Sequence, residues 1–196
     1  MPWRVPVSRP LGVLEDIATV RRIPVGSFWG VRLSLTPLTW LGPLIYFALG
    51  LLLGATRTDL SLTGRVSDAL LFALAVEITT VFHAFGHILS GKWVRSAMDE
   101  LLIASTRDIN LYYGDQSAYP PRVHIVRSLG GPLFNLALAG LFNLMLLYIA
   151  NGPARAVVVQ LVSTNTFFGV GGLLPIPSVD GEVIWRELLK MRLKGH

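Results

Sequence analysis

Two histidines four residues apart, in the run His83-Ala84-Phe85-Gly86-His87, are the sharpest chemical feature of the sequence. On a helix, positions four apart are offset by about 40° and about 6 Å, so both imidazoles face one way and could share a metal ion. The alternative is a pair of buried, hydrogen-bonded histidines. The chain has no cysteine. Disulfides and thiolate sites are therefore excluded, and any metal must be held by His, Asp, Glu or backbone groups. A catalytic zinc takes three protein ligands and keeps an open position, so a third ligand must come from elsewhere. Asp180 is the strongest candidate. It follows Leu173-Leu174-Pro175-Ile176-Pro177-Ser178-Val179 and precedes Gly181. Its other reading is a plain Asp-Gly turn or a helix N-cap over 179–183.

The elements that must carry these residues are apolar. Of the 196 residues, 52% are hydrophobic and 15% charged, where soluble domains carry about 25% charged residues. Mean hydropathy is +0.56, which argues for lipid as the main solvent. Four segments suit membrane helices: about 35–55, 69–90, 129–150 and 156–174. The second contains Glu77, His83 and His87, and the fourth is the most polar. Lys and Arg number 14 on one side of this four-span arrangement and 3 on the other. The cation-rich side is expected to be cytoplasmic, with both termini on it and with the histidine pair and Asp180 near it. The net charge of +5 then orients helices, and no nucleic acid is implied.

The stretch between the second and third spans reads as β-type runs at 101–104 and 109–113, a short hairpin at the membrane surface. Another short strand is expected within 25–35. Residues 1–25 form an N-terminal cytoplasmic segment in this reading. They do not look like a cleavable signal, because five arginines punctuate the first 34 residues. Residues 26–196 are expected to form a single membrane-embedded domain.

Three motifs occur in order: the histidine pair, Gly130-Gly131-Pro132-Leu133-Phe134-Asn135 opening a later helix, and Leu-Leu-Pro-Ile-Pro-Ser-Val-Asp-Gly ending at Gly181. Together they resemble the site-2 protease family of intramembrane zinc metalloproteases. That family has a His-Glu-x-x-His helix, a Gly-Pro-x-x-Asn helix start and an Asn-x-x-Pro-x-Pro-x-x-Asp-Gly run. The resemblance spans about 26–187. It implies an all-α membrane core of four transmembrane helices, with small β-elements at the cytoplasmic face. It implies zinc held by His83, His87 and Asp180, with Asn135 beside the site supporting substrate or an oxyanion; the other reading of Asn135 is a helix–helix hydrogen bond in the membrane. Gly86, Gly130 and Gly131 would allow close helix packing, and Asn165 matches a recurrent family asparagine.

Two positions depart from the family. Gly172 replaces an asparagine before the Leu-Leu-Pro run. Ala84 replaces the glutamate that serves as general base, and it can neither take a proton from water nor deliver one to a leaving amine. Glu77 shares the stripe but lies about 10 Å away along the helix axis, and Glu182 is a weaker substitute. Ala84 is open to three origins: a natural pseudoprotease, retained weak or different chemistry, or an introduced change. The expected function is a zinc metalloprotease scaffold that hydrolyses peptide bonds in or near transmembrane segments, with this chain inactive or strongly attenuated. Its partners would be a transmembrane protein or peptide and the lipid bilayer. The competing readings are an ion- or proton-conducting or transporter bundle using Glu77, His83 and His87, and a non-catalytic binder of membrane helices.

Overall fold

The computed structural model describes residue 10 and residues 12–194. Part of the proposed N-terminal segment, residues 1–9 and 11, lies outside the described residues. The chain runs through β1 (Ile23–Phe28), β2 (Val31–Leu35), α1 (Leu41–Gly54), α2 (Leu62–Trp93), β3 (Glu100–Ile103), β4 (Asp108–Leu111), a short 3-10 turn, α3 (Pro121–Met145), α4 (Pro153–Gly172) and α5 (Asp180–Lys194). It is mostly helical with one small mixed sheet.

The sheet has the order β1-β2-β3-β4, antiparallel except for the parallel β2–β3 pair. The strand expected within 25–35 is two strands, because Trp29 and Gly30 take φ of 51° and 83° and turn the chain back. Positive φ at both turn residues matches the twist of a two-residue hairpin. Alternation along β3 sends neighbouring side chains to opposite faces. Leu102 packs with Val13, Ile17, Ala104 and Leu111 on one face. Leu101 packs with Val31, Ala84, Ile88 and Met98 on the other. The second cluster clamps the sheet onto α2 beside the histidine pair.

The helices differ from the four expected spans at their ends. The segment 35–55 yields only the 14 residues of α1, about 21 Å of helix, short of the about 30 Å of a bilayer core. Its first residues are held instead by β3, where Ile103 O accepts from Thr36 N at 3.0 Å and from Thr39 Oγ1 at 2.6 Å. The third helix starts at Pro121, not near 129. Proline suits the first helical position, where its missing N–H costs nothing. Helix α5 was unforeseen beyond its first turn. Among the described residues, α2 and α3 are long and apolar enough to cross a membrane. On α2, Leu70, Leu74, Ile78 and Val81 are exposed at a three- and four-residue spacing that makes one outward stripe. Large exposed apolar faces suit a nonaqueous surrounding, and these features support a membrane protein.

Helix α2 is central and packs on α1, α3 and α4, while α3 also packs on α4 and α5. A buried polar seam joins α2 to α4: Thr79 and Thr164 hydroxyls lie 2.8 Å apart, and Asn165 Nδ2 donates to Thr79 Oγ1 at 3.0 Å. Thr79→Val removes both partners' contact while keeping shape. It is expected to lower stability by about 1–2 kcal/mol, read as unfolding in mixed detergent micelles.

Candidate metal centre

The centre is assembled from three helices. His83 and His87 sit one turn apart on α2, and Asp180 opens α5 after the turn at 173–179. The Asp180 carboxylate Oδ2 lies 2.9 Å from His83 Nε2 and 3.3 Å from His87 Nε2. One ligand atom from each of the three residues falls within 4.8 Å of the others. Metal–ligand bonds of about 2.0–2.1 Å at tetrahedral angles place ligand atoms about 3.3 Å apart, so the cluster has the spacing a metal ion requires with little adjustment. With no metal bound, burial alone would push the Asp180 carboxyl up, but positive charge at His87 and N–H donation from both rings hold it well below the usual carboxylate range, and a cation between the rings would take the place of those protons.

The outer nitrogens of both rings are anchored. His87 Nδ1 lies 2.8 Å from Arg127 O and donates to it, which leaves Nε2 as a lone-pair donor toward Asp180. Such a partner fixes the tautomer a ligand histidine needs. His83 Nδ1 lies 3.2 Å from the Asn135 amide. Asn135 is fully buried, and its Oδ1 has no partner. With that amide turned, Oδ1 accepts from His83 Nδ1–H and His83 Nε2 also becomes a lone-pair donor.

Glycine provides the space. A Cβ on Gly131 would lie 2.5 Å from the Nε2 atoms of both His83 and His87. The glycine therefore leaves open the volume in front of both ring nitrogens. Gly86 and Gly130 let α2 and α3 approach until a Cβ on Gly86 would lie 2.6 Å from Phe134 Cβ. Gly172 stands 2.8 Å, by the same measure, from Pro132 Cγ, so its lack of a side chain serves the α3–α4 contact. These observations fit a metal ion: two imidazoles with oriented outer nitrogens, one carboxylate, and a cradle that a Cβ at Gly131 would fill.

No protein-family model matches the chain, and no curated protein matches it. Among solved structures, the site-2 protease from Methanocaldococcus jannaschii is similar, with a TM-score of 0.61 and 14% identity over 87% of this chain and 73% of that one. The chain has a site-2-protease-like fold. At that identity the likeness concerns the fold alone. The residues of the site stand on their own geometry.

Within this site-2-protease-like fold, the structure brings His83, His87, Asp180 and Asn135 together. Ala84 is 4% exposed and belongs to the apolar cluster with Val31, Ile88, Met98 and Leu101. Glu182 accepts from Ser178 N at 2.7 Å and pairs with Arg186, so it holds the turn before Asp180. Glu77 points away toward α1 and the β3–β4 turn. Two arginines escaped the sequence reading because they counted only as orienting charges. Arg127 is buried in α3, where it donates to Ser96 Oγ and Gln116 Oε1 at 3.0 Å and lies 4.1 Å over the Tyr112 ring. It thereby fixes the carbonyl that orients His87. Arg107 donates to Ser178 O at 2.6 Å and ties the sheet to the turn carrying Asp180. The usable signal for Arg127 was an arginine inside an otherwise apolar helix.

Proposed function

We propose that this chain is a multi-pass membrane protein that holds zinc through His83, His87 and Asp180 and has lost the peptidase step of the site-2 protease scaffold. The carrying observation is the convergence of two imidazoles and a carboxylate, 97 residues apart in sequence, around a cradle that a Cβ at Gly131 would fill. Bound zinc supplies Lewis acidity and a water whose pKa falls to about 7. The chain's own residues orient the ligands: Arg127 O at His87, and Asn135 at His83 with further support for substrate or an oxyanion. No carboxylate takes up a proton at position 84. The packing of Ala84 in an apolar cluster supports a repacked position over a simple truncation.

In this reading all of α1 to α4 sit in the bilayer, both termini face the cytoplasm and the site opens toward that side. The ligand class is an extended segment of a transmembrane protein, bound without rapid hydrolysis. The test is metal analysis of the chain purified without chelators, together with a peptidase assay on a transmembrane peptide. About one zinc per chain is expected, falling to near zero in His87→Gln, with little cleavage. A chain that purifies metal-free, or that cleaves as fast as the Ala84→Glu variant, overturns the proposal.

A further inference from the structure

On the side of α2 facing α1 and the sheet lies a cavity of about 50 Å³ with a mixed lining that includes Thr39, Tyr46, Glu77, Thr80, Arg107 and Asp108. This is enough room for a water molecule. Two carboxyl groups from distant parts of the chain enter it. Glu77 reaches across from α2 until a Cβ on Gly42 of α1 would lie 3.6 Å from its Oε1 and 2.8 Å from Ser105 O. Asp108 enters from the first position of β4.

Three of the hydroxyls around the cavity donate to backbone carbonyls. Thr39 Oγ1 donates to Ile103 O at 2.6 Å, and Thr80 Oγ1 donates to Glu77 O at 2.9 Å. The Tyr46 hydroxyl donates to Thr106 O. Among the described residues, neither the Glu77 nor the Asp108 carboxyl receives a hydrogen bond from a protein donor. Arg107 is the nearby cation, and its guanidinium also donates to Ser178 O. On its outer side Glu77 borders an apolar groove of about 230 Å³ formed with Ile78, Val81 and Phe82, continuous with the exposed stripe of α2. An ionised carboxylate against hydrocarbon is costly, and two like charges in one small cavity disfavour each other.

We propose that Glu77 and Asp108 form a two-carboxyl proton-holding site that keeps one shared proton at neutral pH, with a cavity water bridging them. The site is separate from the metal centre and needs no metal. Its ligand is a proton: one carboxylic O–H donates, directly or through water, to the other group's carboxylate, and ionisation returns that proton to the cavity water. Burial first, then the Glu77 charge, pushes the Asp108 carboxyl up to about 7, against the lowering effects of Arg107 and His87. These, with the Tyr46 phenol, are the titratable and charged groups facing it from α1, α2 and the β3–β4 turn.

The folded state therefore binds more protons than the unfolded chain, whose Asp titrates near 3.8. Stability from this source is fully present below that value and is lost as pH rises through about 7. The test is infrared titration of the full chain in metal-free liposomes, following the protonated-carboxyl C=O band. The band is expected at pH 6, fading with a midpoint near 7. The step near 7 should be absent in Asp108→Asn, and in Glu77→Gln its midpoint should fall because a like charge is gone. Detergent unfolding of each variant, measured separately, reports that the fold persists. If Asp108→Asn does not fold, Glu77→Gln alone carries the test through its midpoint. No protonated band at pH 6, a midpoint unmoved by Glu77→Gln, or loss of the band on adding sodium or calcium at constant pH would each overturn the proposal, the last by showing a cation site. The metal-free readout keeps this outcome independent of the zinc proposal.

Discussion

Substituting glutamate at position 84 is expected to raise peptide-bond cleavage by about 10²–10⁴-fold over the chain as it stands. Position 84 follows His83, the first of the proposed ligands, on the same turn of α2, so a carboxylate there is within one side chain's length of the candidate centre. What it adds is a proton acceptor for water and a donor for the leaving amine, both absent now. The structure also sets a cost. Ala84 is 4% exposed and packs against Val31, Ile88, Met98 and Leu101. A larger side chain must push this cluster aside, at about 1–3 kcal/mol. Ala84→Gln separates the two effects, because it imposes nearly the same steric cost and restores no acid–base chemistry. The expected pattern is lower stability in both variants, equal zinc content, and cleavage only in Ala84→Glu. Zinc-loaded Ala84→Glu without cleavage would overturn the acid–base account of position 84.

How much of this was legible beforehand depends on the distance over which each residue acts. His83 and His87 declare themselves, since their spacing and their helix are both local properties. Asp180 was legible only through a motif, because no periodicity connects it to a helix 97 residues earlier. The paired β-runs within 98–114 were visible from residue type, yet the parallel pairing of β3 with β2 was not. That pairing depends on the long crossover through α1 and α2 and leaves no local signature. Helix ends were the weakest reading. The start of α1 was lost to hydrogen bonds with Ile103, and the start of α3 was set by a proline pair that also fits a loop end. Arg127 and Asp108 were hidden for a further reason. Charge counting treats every cation and carboxylate as surface, and only packing shows that one arginine orients His87 and one aspartate shares a cavity with Glu77.

Gly131→Ala is expected to weaken zinc binding by at least about 100-fold, the upper end for changes that merely misorient a ligand. The added methyl carbon would stand 2.5 Å from the Nε2 of both His83 and His87, so relief requires movement of either the rings or the helix. The rings are held from behind, His87 by Arg127 O at 2.8 Å and His83 by the Asn135 amide at 3.2 Å. The helix is held by the close Gly86–Gly130 crossing, where neither backbone has room to spare. Whichever yields, the methyl group occupies the face from which both lone pairs must reach a cation. Loss of fold is a weak alternative, because alanine is the better helix former by about 1 kcal/mol. Gly140→Ala on the same helix is the matched control, since a Cβ there meets nothing within 4 Å. It should leave zinc affinity unchanged and raise stability by about 0.5–1 kcal/mol. Competition with a fluorescent zinc chelator gives the affinities and detergent unfolding gives the stabilities. Parental zinc affinity in a folded Gly131→Ala protein would place the cation somewhere other than between these two rings and Asp180.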